Sequence, residues 1–322
     1  MNLALLLALL SIDGTVVNKT TGQPVSGAAV SLVKASAQGM KPAGNATTDA
    51  TGKFNIEGPD KLAGEGIAML QVSFEGVNYN KLLEPGTPPT GVEIAVFSTS
   101  KNLASANATQ HMILIEPVPG QLRVRETIIY ENPTQNTLAD PGNGSIRFFL
   151  PPMAGGKANV DASSGSRGMP LKRAAKPTGE ANIYTVDFPL KPGETRFDIT
   201  WTAPFAAPGE LNTRILHQGQ VRVIVPRGVT VKADELTFLT TEPRTMATVF
   251  TAKNGPLKLS IEGAGTLANT APPSEEEDQG PPIDTIYPKL YDRIYWIVAL
   301  ISGIFGVAFY LLYRQAPTKA SK

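Results

Sequence analysis

The sequence predicts an all-β protein in which two tandem β-sandwiches are followed by one C-terminal transmembrane helix. Three observations lead to this prediction. Short runs of alternating apolar and polar residues recur between turns rich in Pro and Gly. No long helical apolar period appears in the sequence before residue 294. Residues 294–313 are twenty consecutive uncharged residues, enough to cross a hydrocarbon core of ~30 Å as a helix.

The chain opens with an apolar segment at residues 1–10, in which the run from Leu3 to Leu10 resembles the apolar part of a secretory signal. Neither a basic stretch before this run nor a small-residue cleavage motif after it is present. We therefore expect either an atypical export signal or a true start upstream of Met1. A plain first strand is the alternative, although Leu and Ala form strands less readily than β-branched residues.

Residues 11–99 show the alternation expected of a sandwich domain, for example from Ala29 to Val33. The stretch 48–54 reads as a strand, a turn and a second strand. In that turn Asp49 can accept backbone N–H bonds, and Gly52 can adopt a positive φ.

Two motifs in this region, GTVVNKTTGQPVSGAAVSL at 14–32 and TDATGKF at 48–54, resemble the signatures of carboxypeptidase regulatory-like domains. The resemblance implies a seven-stranded, transthyretin-like β-sandwich that serves as an accessory module without chemistry of its own. It gives a fold-determining role to these motif residues: Gly14, Gly22, Pro24, Gly27, Asp49, Gly52 and Phe54.

Residues 100–264 are also strand-like, and the segments ETIIYENPT at 126–134 and LKPGETRFDITW at 190–201 resemble immunoglobulin-like bacterial surface domains. The region fits either one large sandwich or two small ones. We favour one large sandwich because no internal repeat is visible. Residues 153–181, rich in Gly, Ser, Ala and Lys, fit a long loop or a poorly ordered hairpin.

Residues 265–293 are predicted to form a stalk between the folded part and the membrane. Proline pairs at 272–273 and 281–282 favour an extended chain, and the acidic run at 275–278 repels itself. An acidic docking motif is the alternative interpretation of this run.

The predicted transmembrane helix spans 294–313 and is followed by a basic tail at 314–322. Basic residues stay on the cytoplasmic side, which places the N-terminal bulk outside a bacterial plasma membrane, in the periplasm or its equivalent. Small residues spaced four apart suit helix packing, namely Ala299 with Gly303 and Ser302 with Gly306. Aromatic and basic residues suited to anchor the membrane interfaces are Tyr291, Tyr295, Trp296, Tyr310, Tyr313 and Arg314.

Composition argues against several functions. A net charge of +1 gives no electrostatic case for nucleic acid. Zero Cys and two His argue against thiolate chemistry and a His-based zinc site. No phosphate-binding glycine loop and no G-x-S-x-G motif is present, so we predict neither a cofactor nor an enzyme.

These observations predict a structural or protein-binding accessory subunit of a bacterial envelope complex, held by its membrane helix. An envelope module that binds carbohydrate or peptide is the alternative, and a hydrolase with an unrecognised site is the least favoured. Carbohydrate binding is not favoured because the Trp and Tyr residues outside the membrane end, which are Trp201, Tyr79, Tyr130 and Tyr184, are expected in the core.

Overall fold

The computed structural model divides the chain into two compact units, residues 1–271 and 272–322. The described residues are 11–36, 39–57, 68–83, 90–165, 168–267 and six helical positions between 302 and 311. In the described part of the first unit, the regular structure is β-strand apart from the short 3-10 helices Leu103–Ser105 and Pro152–Ala154. The all-β prediction is therefore confirmed.

The first part of this unit is a β-sandwich of two four-stranded sheets. Its strands are β1 (Ile12–Asn18), β2 (Gln23–Pro24), β3 (Ala29–Ser36), β4 (Gly39–Thr47), β5 (Lys53–Ile56), β6 (Ala68–Phe74), β7 (Val77–Leu83) and β8 (Val92–Val96).

The two sheets share one hydrophobic core. In one sheet β1 pairs antiparallel with β2 and β5 and parallel with β8, and the other sheet has the order β4-β3-β6-β7. Strict alternation along β1 buries Ile12 and Val16, which meet Leu32 and Leu70 of the facing sheet. The eight strands exceed by one the seven that the family resemblance implies. The two-residue β2 is short because Pro24 has no N–H to extend the pairing.

The second part begins with β9 (Thr99–Ser100) and ends with β24. Its further strands are β10 (Asn107–Val118), β11 (Gln121–Asn132), β12 (Thr137–Leu138), β13 (Ile146–Phe149), β14 (Asn159–Ser164), β15 (Leu171–Arg173), β16 (Ala175–Pro177), β17 (Ile183–Val186), β18 (Gly193–Pro204), β19 (Gly209–Ile215), β20 (Gln220–Val225), β21 (Val229–Lys232), β22 (Leu236–Thr241), β23 (Thr248–Ala252) and β24 (Gly255–Gly263).

One large sheet dominates this region, with the order β15-β14-β18-β11-β10-β20-β23-β22. Two three-stranded sheets, β13-β17-β16 and β19-β24-β21, contribute to the same single core. Of the two alternatives for residues 153–181, the structure has the hairpin, because β14 pairs antiparallel with β15. Strand β14 lies inside the large sheet because Val160 and Ala162 are buried against the core.

The two sandwiches are joined by direct contacts. The hydroxyl of Tyr79 on β7 lies 2.7 Å from Oγ1 of Thr137 on β12, a strand that pairs in parallel with β9 of its own sandwich. Both side chains are buried, at 3% and 0% exposure. Lys191 Nζ donates to the carbonyl of Asn78 over 2.7 Å and lies 4.8 Å from the centre of the Tyr79 ring. Thr20 Oγ1 donates to the carbonyl of Gln135.

Residues 265–267 close the second sandwich. Gly265 N–H donates to the carbonyl of Pro117, and the buried carboxylate of Glu116 accepts bonds from Thr266 Oγ1 and Leu267 N–H at 2.9 and 2.8 Å. The beginning of the predicted stalk at 265–293 is therefore packed on the sandwich. The rest of the predicted stalk lies outside the described residues.

The predicted transmembrane helix at 294–313 lies largely outside the described residues. Its six described positions, 302, 305, 307, 308, 310 and 311, are helical and exposed. Within the described part of the chain, no helix has the length and apolar character needed to cross a membrane.

Candidate ligand cleft in the second sandwich

The fold brings together the two histidines of the chain. His111 lies on β10, and His217 follows β19. Their ring centres are 6.1 Å apart. They meet because β10 is central in the large sheet, while the end of β19 approaches the same end of the core.

His111 belongs to a buried polar group on the core side of the large sheet. Alternation along β10 and β11 turns His111 and Glu126 inward, and both are at most 5% exposed. His111 Nε2 lies 3.1 Å from Glu126 Oε2, and Trp201 Nε1 donates to Glu126 Oε1 over 3.5 Å. Nδ1 of His111 has no hydrogen-bond partner.

His217 is held by Tyr130, whose hydroxyl lies 2.8 Å from Nδ1. Burial first and the neighbouring His111 second lower the pKa of His217, and a backbone hydrogen bond to Arg147 opposes them, so that the pKa is about 4. Burial also raises the pKa of Tyr130 above its ordinary range. Both groups are therefore neutral near pH 7, and the pair is joined by a neutral hydrogen bond.

Tyr130 and His217 line an open cleft of about 680 Å³ at the end of the sandwich where the chain arrives from the first domain. Clefts of this size accommodate small ligands. The walls come from residues 103–108, from residues 143–147 at the start of β13, and from residues 214–218 after β19. Gly144, with φ of 76°, must be glycine here because a Cβ would lie 2.1 Å from Thr185 Oγ1.

The cleft carries one uncompensated positive charge. Arg147 forms an ion pair with Glu180 across the cleft wall. Arg214 is exposed and has no ion-pair or hydrogen-bond partner among the described residues. Ser145 Oγ accepts a bond from Phe188 N–H over 3.4 Å. The cleft thus offers one free guanidinium, several neutral hydrogen-bonding groups and an apolar wall.

The described residues contain no group of three or more His, Cys, Asp or Glu arranged to hold a metal ion. His111, Glu126 and His217 lie near one another, but the only paired contact among them is that of His111 with Glu126. These residues form two separate hydrogen-bonded groups, His111–Glu126–Trp201 and Tyr130–His217, which meet at the contact of the two histidine rings.

Reasoning from the sequence did not find this cleft. His111 and His217 were set aside because they lack the spacing of a zinc site. The available signal was local: His111 occupies an inward position in the alternating strand β10, where an apolar residue is expected. Nothing local pointed to Arg214.

The predicted fold-determining residues lie at close contacts of the first sandwich. A Cβ on Gly14 would lie 2.0 Å from the carbonyl of Val92 and 2.7 Å from the Phe54 ring, so only glycine fits. Gly52 has a φ of 76°, and a Cβ at this position would lie 2.8 Å from the Cβ of Pro24. Asp49 Oδ1 accepts bonds from Thr51 and Lys53 N–H groups, which lowers its pKa.

The remaining motif residues form turns and core. Gly22 and Gly27 have positive φ, and Phe54 is 3% exposed. Of the residues predicted for helix packing and for the membrane interfaces, Ser302 and Tyr310 are helical and exposed. The others lie outside the described residues, namely Ala299, Gly303, Gly306, Tyr291, Tyr295, Trp296, Tyr313 and Arg314.

The aromatic residues expected in the core are mostly there. Trp201, Tyr79 and Tyr130 are buried, and Tyr184 is partly buried beside Phe148. None of these four presents an exposed ring face of the kind that a sugar-binding platform needs.

No protein-family model matches the chain, and no curated protein matches it. Among solved structures, a two-domain M1 zinc metallopeptidase variant bound to L-tryptophan aligns with a TM-score of 0.27 and 14% identity, over 48% of this chain and 43% of that chain. An M1 zinc metallopeptidase from Deinococcus radiodurans aligns with the same TM-score and identity over 48% and 42%. The chain spans less than half the length of these structures, and likeness at this TM-score carries no argument about fold or activity.

Proposed function

We propose that the protein is a non-catalytic accessory subunit of a bacterial envelope complex, with a structural or protein-binding role. Its first sandwich acts as a carboxypeptidase regulatory-like, transthyretin-like module, and its second as a larger immunoglobulin-like sandwich. The helix at 294–313 anchors both in the plasma membrane, with the N-terminal bulk outside and the tail at 314–322 in the cytoplasm. The role needs no cofactor and no nucleic acid.

The observation that supports this proposal best is the junction between the two sandwiches. Domains within one chain commonly move relative to each other unless their interface is extensive. Here the buried Tyr79–Thr137 hydrogen bond, the Lys191 contacts and the bond from Thr20 Oγ1 to the carbonyl of Gln135 cross the boundary. Such a junction restricts motion between the two sandwiches, which we therefore call one rigid arm. A rigid arm suits a subunit that positions other proteins.

The proposal is tested by purifying the tagged full-length protein from its native membranes in mild detergent and identifying bound proteins by mass spectrometry. We expect one membrane protein partner in stoichiometric amount. Gly303→Leu and Gly306→Leu should reduce its recovery several-fold if the helix mediates assembly, because Leu blocks close helix approach. Val298→Leu, an apolar exchange outside the small-residue pairs, is the control. A monomer without a partner would contradict the accessory role.

Ligand binding by the second sandwich is the second candidate function, and the cleft at Tyr130 and His217 favours it. The cleft is open, has the volume of a small-ligand site and combines apolar with polar walls. A peptide fits this surface better than a carbohydrate, because Trp201 and Tyr130 are packed in the core. A hydrolase with an unrecognised site remains the least favoured proposal.

A further inference from the structure

Charge is the first property of the cleft that restricts its ligand. Arg147 and Glu180 neutralise each other, which leaves the guanidinium of Arg214 as the net charge of the lining. His217 adds none near pH 7 because its ring is neutral. A guanidinium presents a planar fork of N–H donors that matches a carboxylate in a bidentate pair.

The number of cationic groups argues for a singly charged anion. Phosphate sites in proteins commonly use a helix N-terminus or several cationic groups. The described cleft lining has one free guanidinium and no α-helix. A carboxylate, with a single charge and two oxygens, therefore matches this lining better than a phosphate.

The remaining walls indicate what carries the carboxylate. Leu103 and Leu216, both partly exposed, supply apolar surface to the cleft that Arg214 also lines. The side-chain amide of Gln218, which has no hydrogen-bond partner among the described residues, offers the same cleft both a donor and an acceptor. An extended peptide presents the same combination of apolar side chains and amide groups beside its terminal carboxylate.

We infer that the cleft binds the free carboxyl end of a short extended peptide, with Arg214 pairing with the terminal carboxylate. The apolar wall takes the last side chain, and Gln218 bonds the preceding peptide group. This inference rests on the second candidate function, ligand binding by the second sandwich, and is independent of the accessory role.

The test is a ligand-detected NMR titration of the full-length protein in detergent micelles. The probe is N-acetyl-Ala-Ala-Leu with a free carboxylate, and its counterpart is the same peptide as a C-terminal amide. We expect saturable binding of the acid and at least about tenfold weaker binding of the amide, because a charge-assisted bidentate pair is lost. Inorganic phosphate should not displace the acid at equal concentration.

Arg214→Gln should weaken binding of the acid at least about tenfold and leave binding of the amide unchanged. Arg222→Gln, an exposed arginine on the outer face of β20, is the matched control and should bind like the wild type. Equal melting temperatures of both variants would show that the fold is retained.

The inference would be overturned by no binding of the acid by the wild type, by equal binding of acid and amide, or by full binding of the acid by Arg214→Gln. Displacement by phosphate would instead show a general anion site and would also overturn it. Recovery of a membrane partner without peptide binding would reject this inference while leaving the accessory role intact.

Discussion

The first sandwich requires glycine at position 14, because two backbone segments and an aromatic ring approach one another at that point. Gly14 on β1 lies against the carbonyl of Val92 on the parallel strand β8 and under the Phe54 ring. Any side chain at this position must push either the β1–β8 pairing or the core apart. Close packing of this kind is what the sequence motif around residue 14 encodes.

Gly14→Ala should therefore lower the free energy of unfolding by about 1–3 kcal/mol, the range for overpacking a tight site. Gly179→Ala is the control, since a Cβ there meets open space and needs no positive φ. Urea unfolding of the two variants measures the difference. Equal stability of Gly14→Ala and the wild type would show that the β1–β8 approach is looser than the structure indicates.

His217 makes the second sandwich sensitive to acid. Its pKa is about 4 in the folded protein and 6.5 in the unfolded chain. Between these values the unfolded chain binds the proton and the folded protein does not, so stability falls as pH falls from 6.5 to 4. Over this pH range the free energy of unfolding should fall by at most ~3 kcal/mol.

His217→Gln should flatten this part of the stability curve, measured by urea unfolding at several pH values. Asp49, Asp140 and Glu242 also have lowered pKa values, but these carboxylates lose their contribution at a lower pH, from about 4 downward. If the free energy of unfolding of His217→Gln depends on pH between 6.5 and 4 as steeply as that of the wild type, His217 is not the source of this acid sensitivity.

At the scale of elements, β18 is central to the second sandwich. It pairs with β11 along its whole length and with β14 on its other side. Trp201 on its inner face is 3% exposed and donates to the buried Glu126. Its side chain therefore supplies both core volume and a hydrogen bond to a buried carboxylate.

Trp201→Ala should destabilise the protein by ~3–5 kcal/mol through the cavity that it leaves. Thr202→Ala, on the exposed face of the same strand, should change stability by less than ~0.5 kcal/mol. Thermal unfolding followed by circular dichroism compares them. A Trp201→Ala protein as stable as the wild type would contradict the placement of Trp201 in the core.

Strands with strong alternation were predictable from the sequence. The run from Leu122 to Tyr130 and the run from Phe197 to Trp201 turn large apolar residues to one face, and both are strands of the large sheet. The place of β14 inside the large sheet could not be predicted, because its inward residues, Val160 and Ala162, lie in a stretch of small and polar residues. Its burial comes from pairing with β18, which no local pattern reveals.

The cleft could not be predicted for a related reason. Its lining comes from segments that are distant in the sequence and meet only when the sheets close on one core. Alternation along β10 and β11 predicts that His111 and Tyr130 point inward, but not that His217 lies beside them. The free charge of Arg214 depends on which acids the fold brings near it.

At the scale of the whole molecule, the junction should make the two sandwiches unfold together. Tyr79→Phe combined with Thr137→Val removes the hydroxyls that meet in the buried boundary. The exchange also removes the bond that the Tyr79 hydroxyl donates to the carbonyl of Phe97, so coupling between the cores should weaken by about 1 kcal/mol. Calorimetry of the full-length protein should show one transition for the wild type and two for the double variant.

Gln71→Ala combined with Asn80→Ala is the control for this experiment. It removes a 3.2 Å side-chain hydrogen bond between exposed groups of the first sandwich, away from the boundary. This control should keep the single transition. Two transitions in the wild-type protein would show that the two sandwiches unfold independently and do not form one rigid arm.

The central claim is that a membrane helix holds this arm outside the cell membrane. The most direct measurement adds protease to intact spheroplasts that contain the protein with a tag after residue 322. We predict that the sandwiches are digested while a membrane-bound C-terminal fragment keeps its tag. Recovery of intact protein in the soluble fraction, or a tag cleaved together with the sandwiches, would contradict the claim.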